Sequence, residues 1–215
     1  MKNIGIAITY LLGFLPILIW AGVRQGTPMF SDFATTTHSL GQISGLVGMS
    51  LLCLSLVLAT RWKFVEFLFD GCGNTLRFHH SIGIISFVLV LFHPILLVVK
   101  FIYINPILGL KYLLPSSTWS VNYGIISIIL LIALIILSVL AKMEYNNWKF
   151  SHKFMAVVFI FACLHSFLVT TDITFYPALR NYMIAIAIIG GVSIFYTGFW
   201  KTLIVNKLLC KNNEQ

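Results

Sequence analysis

Six apolar runs, each close to the length a helix needs to cross a bilayer, leave this chain few folds to choose from. A transmembrane helix takes roughly 20 mostly apolar residues. The runs are about Ile4–Val23, Gly41–Thr60, His79–Ile104, Val121–Leu140, Phe154–Thr170 and Tyr182–Val205, the fifth short as drawn and extending back toward Trp148. Backbone amides in hydrocarbon must be paired within their own segment, so runs of this kind are helices. The expected fold class is therefore all-α, an integral membrane six-helix bundle. Composition agrees: 9% of the 215 residues are charged and 59% are hydrophobic, against about 25% charged in a soluble domain. No stretch outside the runs is long enough for a second domain. One six-span domain is expected over 1–205, followed by a short tail, 206–215. The first run follows Lys2 but is longer than the ~7–15-residue apolar core of a signal peptide, so it is expected as a retained span.

The charge pattern sets an orientation. Net charge is +8, but the basic residues sit in short loops between apolar runs, as topology signals do. Lys2, Arg61, Lys63, Arg77, Lys142, Lys149, Lys153, Lys201, Lys207 and Lys211 fall on one side, and Arg24, Lys100, Lys111 and Arg180 on the other. Both termini are therefore expected in the cytoplasm of a bacterial or archaeal cell, with the chain in its cytoplasmic membrane. No basic stripe or nucleic-acid motif occurs, so a nucleic-acid partner is not expected. Trp62, Trp119, Trp148 and Trp200 fall near span ends, where interfacial anchors sit. The four cysteines, Cys53, Cys72, Cys163 and Cys210, form no C-x-x-C pair, which argues against a metal knuckle or a disulfide framework. Gly41, Gly45 and Gly48 in the second run read first as helix packing, and second as close approach to a cofactor.

The histidines carry the chemistry. Five of six, His79, His80, His93, His152 and His165, lie in or at the ends of the third and fifth runs; His38 stands apart. Ionisable side chains in a membrane are costly and mark functional sites. His79 and His93 are 14 residues apart, and His152 and His165 are 13 apart, rises of about 21 and 19.5 Å along a helix. The two spans run in the same direction, so His79 pairs in depth with His152 and His93 with His165. One histidine from each of two helices at each of two levels is what bis-imidazole ligation of two haems requires. Helical phase supports the third span, where 14 residues return to within about 40° of the starting face. It fits the fifth poorly, since 13 residues land about 140° away and altered winding is needed. His80 rivals His79 and is less favoured on phase. Zinc is a poor alternative, because its histidines sit at close spacing, and no acidic residue lies within a predicted span.

The stretch Arg77-Phe78-His79-His80-Ser81-Ile82-Gly83 followed by His93-Pro94, and Trp148-Lys149-Phe150-Ser151-His152-Lys153 ending in Leu164-His165-Ser166-Phe167, resemble the third and fifth spans of the ferric reductase-like transmembrane family. Its relatives include ferric-chelate reductases, NADPH oxidases and the haem subunit of a methionine sulfoxide reductase system. The resemblance implies a bundle with haems between spans three and five. Two haems b are implied, His79 and His152 binding the inner one and His93 and His165 the outer. It also implies that Gly83 lets a macrocycle approach, the alternative being plain packing. Arg77 and Lys153 either neutralise haem propionates or are ordinary positive-inside residues. Larger members continue into a flavin- and nicotinamide-binding region, whereas only Lys201 to Gln215 follow here, with no Gly-rich nucleotide loop. Flavin and NAD(P)H are thus expected only through a partner, a cytoplasmic flavin reductase, unless the sequence is a truncated form of a longer flavoprotein. The expected activity is that of the haem-bearing membrane subunit of an oxidoreductase, passing electrons to an extracytoplasmic acceptor such as a ferric chelate or a partner enzyme. A quinone-linked membrane cytochrome b shares the same core. A transporter predicts matching halves or broken helices with midplane polar groups, which are not seen, and an assembly protein has no need of the histidine pairs.

Overall fold

The structure is a computed structural model that describes residues 2–112, 114–140 and 144–200. Lys142, Lys201, Lys207, Lys211, Cys210 and the tail 206–215 lie outside the described residues. Every regular element among those described is helical. In order they are α1 (Lys2–Val23), α2 (Phe33–Ala59), α3 (Lys63–Leu68), α4 (Cys72–Ile104), α5 (Pro106–Tyr112) and α6 (Trp119–Leu140). Then come α7 (Tyr145–His152), α8 (Met155–Leu168), α9 (Asp172–Phe175) and α10 (Pro177–Phe195), which passes into a π-helical turn, Tyr196–Trp200. Six stretches are long and apolar enough to span a membrane: α1, α2, α4, α6, α7 with α8, and α10.

Several helices run past the apolar runs. The third span begins at Cys72 rather than His79, and the second at Phe33 rather than Gly41. Apolar sequence marks the part of a helix in hydrocarbon; helix ends are set by backbone capping, which polar residues provide. Asp32 shows this. Its carboxylate accepts the Thr35 N–H at 2.9 Å and Thr35 Oγ1 accepts the Asp32 N–H at 3.1 Å, a reciprocal cap that starts α2 in the polar Thr35–Ser39 stretch. Those bonds hold the Asp32 carboxyl below the usual range. Pro16 and Pro94 lie inside α1 and α4, which continue through them.

The buried axis of the bundle is α2. In its apolar window 61% of residues are buried, against 28% or less in the other five spans. It packs on α1, α4 and α10 around Trp20, Val47, Leu51, Ile82, Leu179 and Met183. Small residues permit this closeness. A Cβ at Gly41 would meet Leu97 at 3.1 Å and one at Gly48 would meet Val90 at 2.8 Å, so these two glycines serve packing, as read from the sequence. α6 pairs with α8 as α2 pairs with α4, but the backbones of the two pairs hardly touch. The space left between α4 and the span formed by α7 and α8 is where the histidines face each other.

Candidate functional site

At the level nearer the start of α4, His79 faces His152 with ring centroids 6.3 Å apart. At the other level His93 faces His165 at 6.2 Å. Metal–imidazole bonds are about 2 Å, and a ring centroid lies roughly 1.2 Å behind its nitrogen. Two imidazoles trans on one metal therefore have centroids about 6.3 Å apart. Both pairs have that spacing. His80, the rival of His79, is exposed, and the half-buried His79 is the one opposite His152.

Hydrogen bonds fix which nitrogen faces the gap. His93 Nδ1 donates to the Gly41 carbonyl at 2.8 Å, His165 Nδ1 to the Ser120 carbonyl at 2.8 Å, and His79 Nδ1 to the Ser55 carbonyl at 2.9 Å. Ser55 Oγ lies 2.9 Å from the same His79 nitrogen. A carbonyl oxygen only accepts, so Nδ1 carries the proton and Nε2 keeps its lone pair, the tautomer of a metal-ligating imidazole. His152 has no such bond among the described residues. Its ring lies on Trp148 instead, with centroids 5.2 Å apart and planes 19° apart. Trp148 is fixed in turn by its Nε1 donating to Ser138 Oγ at 2.7 Å and by Tyr145 stacked at 5.9 Å. Trp148 is therefore more than an interfacial anchor.

The phase mismatch in the fifth span is reduced by a break. The helix stops at His152 and restarts at Met155. Across this break and into the first turn of α8, the N–H groups of Lys153, Phe154, Ala156 and Val157 bond to the carbonyls three residues back. Such 3₁₀ winding turns about 120° per residue rather than about 100°. Four residues of it recover about 80° of the roughly 140° mismatch, which brings His152 and His165 toward one face.

A cavity of about 450 Å³ surrounds the His93–His165 pair, within the range of small-molecule and cofactor sites. Its walls are mostly aliphatic, among them Leu46, Val90, Ile128, Leu131 and Val158, and Met49 adds a thioether. Gln42, Tyr112, Thr171 and Asp172 are polar groups in its lining. Burial raises the Tyr112 phenol above its usual value, keeping it a donor. Two glycines seat the rings. A Cβ at Gly45 would lie 2.7 Å from His93 Nδ1, and one at Gly124 would lie 2.7 Å from His165 Nδ1. At the other level, a Cβ at Gly83 would meet only Ser55 Oγ at 3.8 Å, so the space beside His79 is open. Arg77 and Lys153 are exposed, and no ion pair engages either among the described residues.

Among the described residues no three His, Cys, Asp or Glu side chains converge. Each site therefore offers two facing imidazoles, a donor set that would suit a metal whose other ligands come from a planar macrocycle. Gly124, Ser120, Ser55 and Trp148 escaped the sequence reading as site residues. The signal for Gly124 was present, since it is the lone glycine of an aliphatic span; the carbonyl partners have no side-chain signature at all.

A comparison with characterised proteins gave no significant match. A comparison with protein families matches residues 44–163 to the ferric reductase like transmembrane component, a region that holds His79, His93 and His152 and stops two residues short of His165. With more than half its length matched, the chain belongs to the ferric reductase-like transmembrane component family.

Proposed function

We propose that this chain carries electrons across the membrane through two haems b, one held by His79 and His152 and the other by His93 and His165. The observation that carries this reading is the pair of facing imidazoles at two depths, each at the spacing of trans ligands on one metal. Bound there, haem supplies reversible one-electron chemistry at iron. The residues of the chain do the rest. Nδ1–H bonds to Gly41, Ser120 and Ser55 hold three rings in the ligating tautomer and orientation. The mostly aliphatic lining surrounds the His93–His165 site with apolar groups and lowers the dielectric around it. The 14-residue interval along α4 spaces the two levels by about 21 Å, enough to reach from one interface toward the other.

The face holding the start of α4 also carries Lys63, Lys149 and Lys153, and by the positive-inside pattern it is the cytoplasmic one. A flavoprotein partner is the proposed donor at that face, and a ferric chelate or partner enzyme the proposed acceptor at the other. The test is a pyridine haemochrome assay with protein quantification on detergent-purified chain expressed with a haem supply. Two haems b per chain is the expected result. A folded helical protein that takes up no haem would overturn the proposal.

Trp148 gives a second prediction. Stacking contacts of this kind contribute about 0.5–1.5 kcal/mol, and among the described residues His152 has no hydrogen bond to replace them. Trp148→Leu is expected to weaken haem retention at the His79–His152 level by up to about tenfold, with the other level unchanged. Haem transfer to an excess of apoglobin, followed spectroscopically, measures this; equal loss from both levels would contradict it.

A further inference from the structure

Two histidines have no part in the pairs, His80, which is exposed, and His38, which is half-buried. His38 sits on α2 seven residues outward of Gly45, about 10 Å along the helix, and four residues before Gln42, so all three share a face. Its Nδ1 is buried and is the one buried side-chain nitrogen or oxygen among the described residues with no hydrogen-bond partner. An unsatisfied buried polar atom costs roughly 1–3 kcal/mol, so a partner from outside the chain is the natural explanation.

The neighbours of His38 have the charge of an anion site. Arg24, Lys100 and Asp172 all lie within electrostatic reach of it. Asp172 is already satisfied: its Oδ2 accepts from Trp20 Nε1 at 2.8 Å and from Arg24 Nη1 at 3.1 Å. Arg24 Nη1 also donates to Gln42 Oε1 at 2.7 Å, and its Nε donates to Thr27 Oγ1 at 3.3 Å. Its second terminal nitrogen has no partner among the described residues, and the side chain is 16% exposed. Two cations against one carboxylate leave a net positive charge at a half-buried site. Gln42 and Asp172, which Arg24 ties together, both line the cavity around His93 and His165. His38 lies one helical turn before the lining residue Gln42 on α2, and Lys100 lies seven residues beyond His93 on the same face of α4.

We propose that His38 Nδ1 and the free terminal nitrogen of Arg24, backed by Lys100, bind a carboxylate of the haem held between His93 and His165. The inference rests on the two-haem reading and assigns an anchoring role to residues outside the axial pairs. His38 donates Nδ1–H to the carboxylate, Arg24 gives a charge-assisted hydrogen bond, and Lys100 offsets the remaining charge. The same carboxylate chemistry has a second source, an anionic electron acceptor docking at the same rim, and the experiment separates the two.

The wild-type chain is first assayed for haem; a haem-free but folded protein would sink the two-haem reading itself. His38→Leu, His38→Gln and Lys100→Met are then compared with wild type by haem content, by spectroelectrochemical titration and by thermal unfolding of the haem-depleted protein. His38 makes no hydrogen bond among the described residues, so His38→Leu leaves the haem-depleted protein at least as stable as wild type. The same variant loses haem from the His93–His165 level, from two per chain toward one, or shifts that haem to a more negative potential. Lys100→Met produces the same negative shift, because removing a cation disfavours the reduced, more negative state. His38→Gln, which restores an N–H donor, recovers both properties. Unchanged haem content and potentials in His38→Leu and Lys100→Met overturn the assignment. So does a change confined to KM for ferric citrate, which gives the site to the acceptor.

Discussion

Alanine at His93 or His165 is expected to halve the haem content and to stop electron transfer across the membrane, while the His79–His152 haem stays bound and remains reducible from its own face. The two levels stand about 21 Å apart along α4 and share no ligand, so loss of one leaves the other's imidazoles, hydrogen bonds and lining in place. The cost to the protein itself is modest. His93→Ala forfeits the hydrogen bond to Gly41 and His165→Ala the bond to Ser120, each net about 0.5–1.5 kcal/mol against a typical total of about 5–15 kcal/mol. The carbonyls left behind are main-chain groups of helices, whose oxygens already accept within the helix. The measurement is reduction of ferricyanide outside proteoliposomes loaded with a reductant that cannot cross. Wild type transfers, His93→Ala and His165→Ala fall to the leak of empty vesicles, and haemochrome falls from two per chain to one. His79→Ala also stops transfer but spares the other haem, so the two classes differ in which haem absorbance survives. Full transfer in His93→Ala would show that electrons bypass that level.

Span number and the pairing of histidines in depth were legible in the sequence because both depend on counting. Hydrocarbon thickness fixes how many apolar residues make a span, and rise per residue fixes how far apart two histidines on one helix stand. What escaped was set by winding and main chain. The 13-residue interval from His152 to His165 looked out of phase because it was measured on an ideal helix; nothing in Ser151-His152-Lys153-Phe154 announces the 3₁₀ winding that recovers much of it. The helix ends were misplaced by up to two turns, since the Thr35–Ser39 and Cys72–Arg77 stretches are polar yet helical. Ring orientation depends on the carbonyls of Gly41, Ser55 and Ser120, which every residue type carries and no pattern can single out. His38 was visible but unassigned, because its meaning comes from neighbours just after α1, on α4 and on α9 that are distant in sequence.

Gly124→Val is expected to reproduce the one-haem state of His165→Ala without touching any histidine. A Cβ at this position would lie 2.7 Å from His165 Nδ1 and 2.9 Å from both Cγ and Cε1. The imidazole thus lies flat against the backbone of α6, and only a hydrogen fits between. The ring cannot retreat and keep its bond, since the Ser120 carbonyl that holds Nδ1 at 2.8 Å is on the same helix one turn earlier. It must swing away, which breaks that bond and carries Nε2 off the axis shared with His93. Overpacking of this kind costs about 1–3 kcal/mol, and helix propensity recovers a few tenths, because valine forms helix better than glycine. The protein therefore folds while the ligand geometry is lost. Gly45→Val does the same from the other side, where a Cβ would stand 2.7 Å from His93 Nδ1. Gly22→Val is the control, with nothing within 4 Å of the added atom. Haemochrome and redox titration of the three variants should read one haem, one haem and two. Two haems with unshifted potentials in both Gly124→Val and Gly45→Val would mean that the rings do not need the seats these glycines provide, and would remove the strongest link between the packing of α2 and α6 and the chemistry assigned to the site.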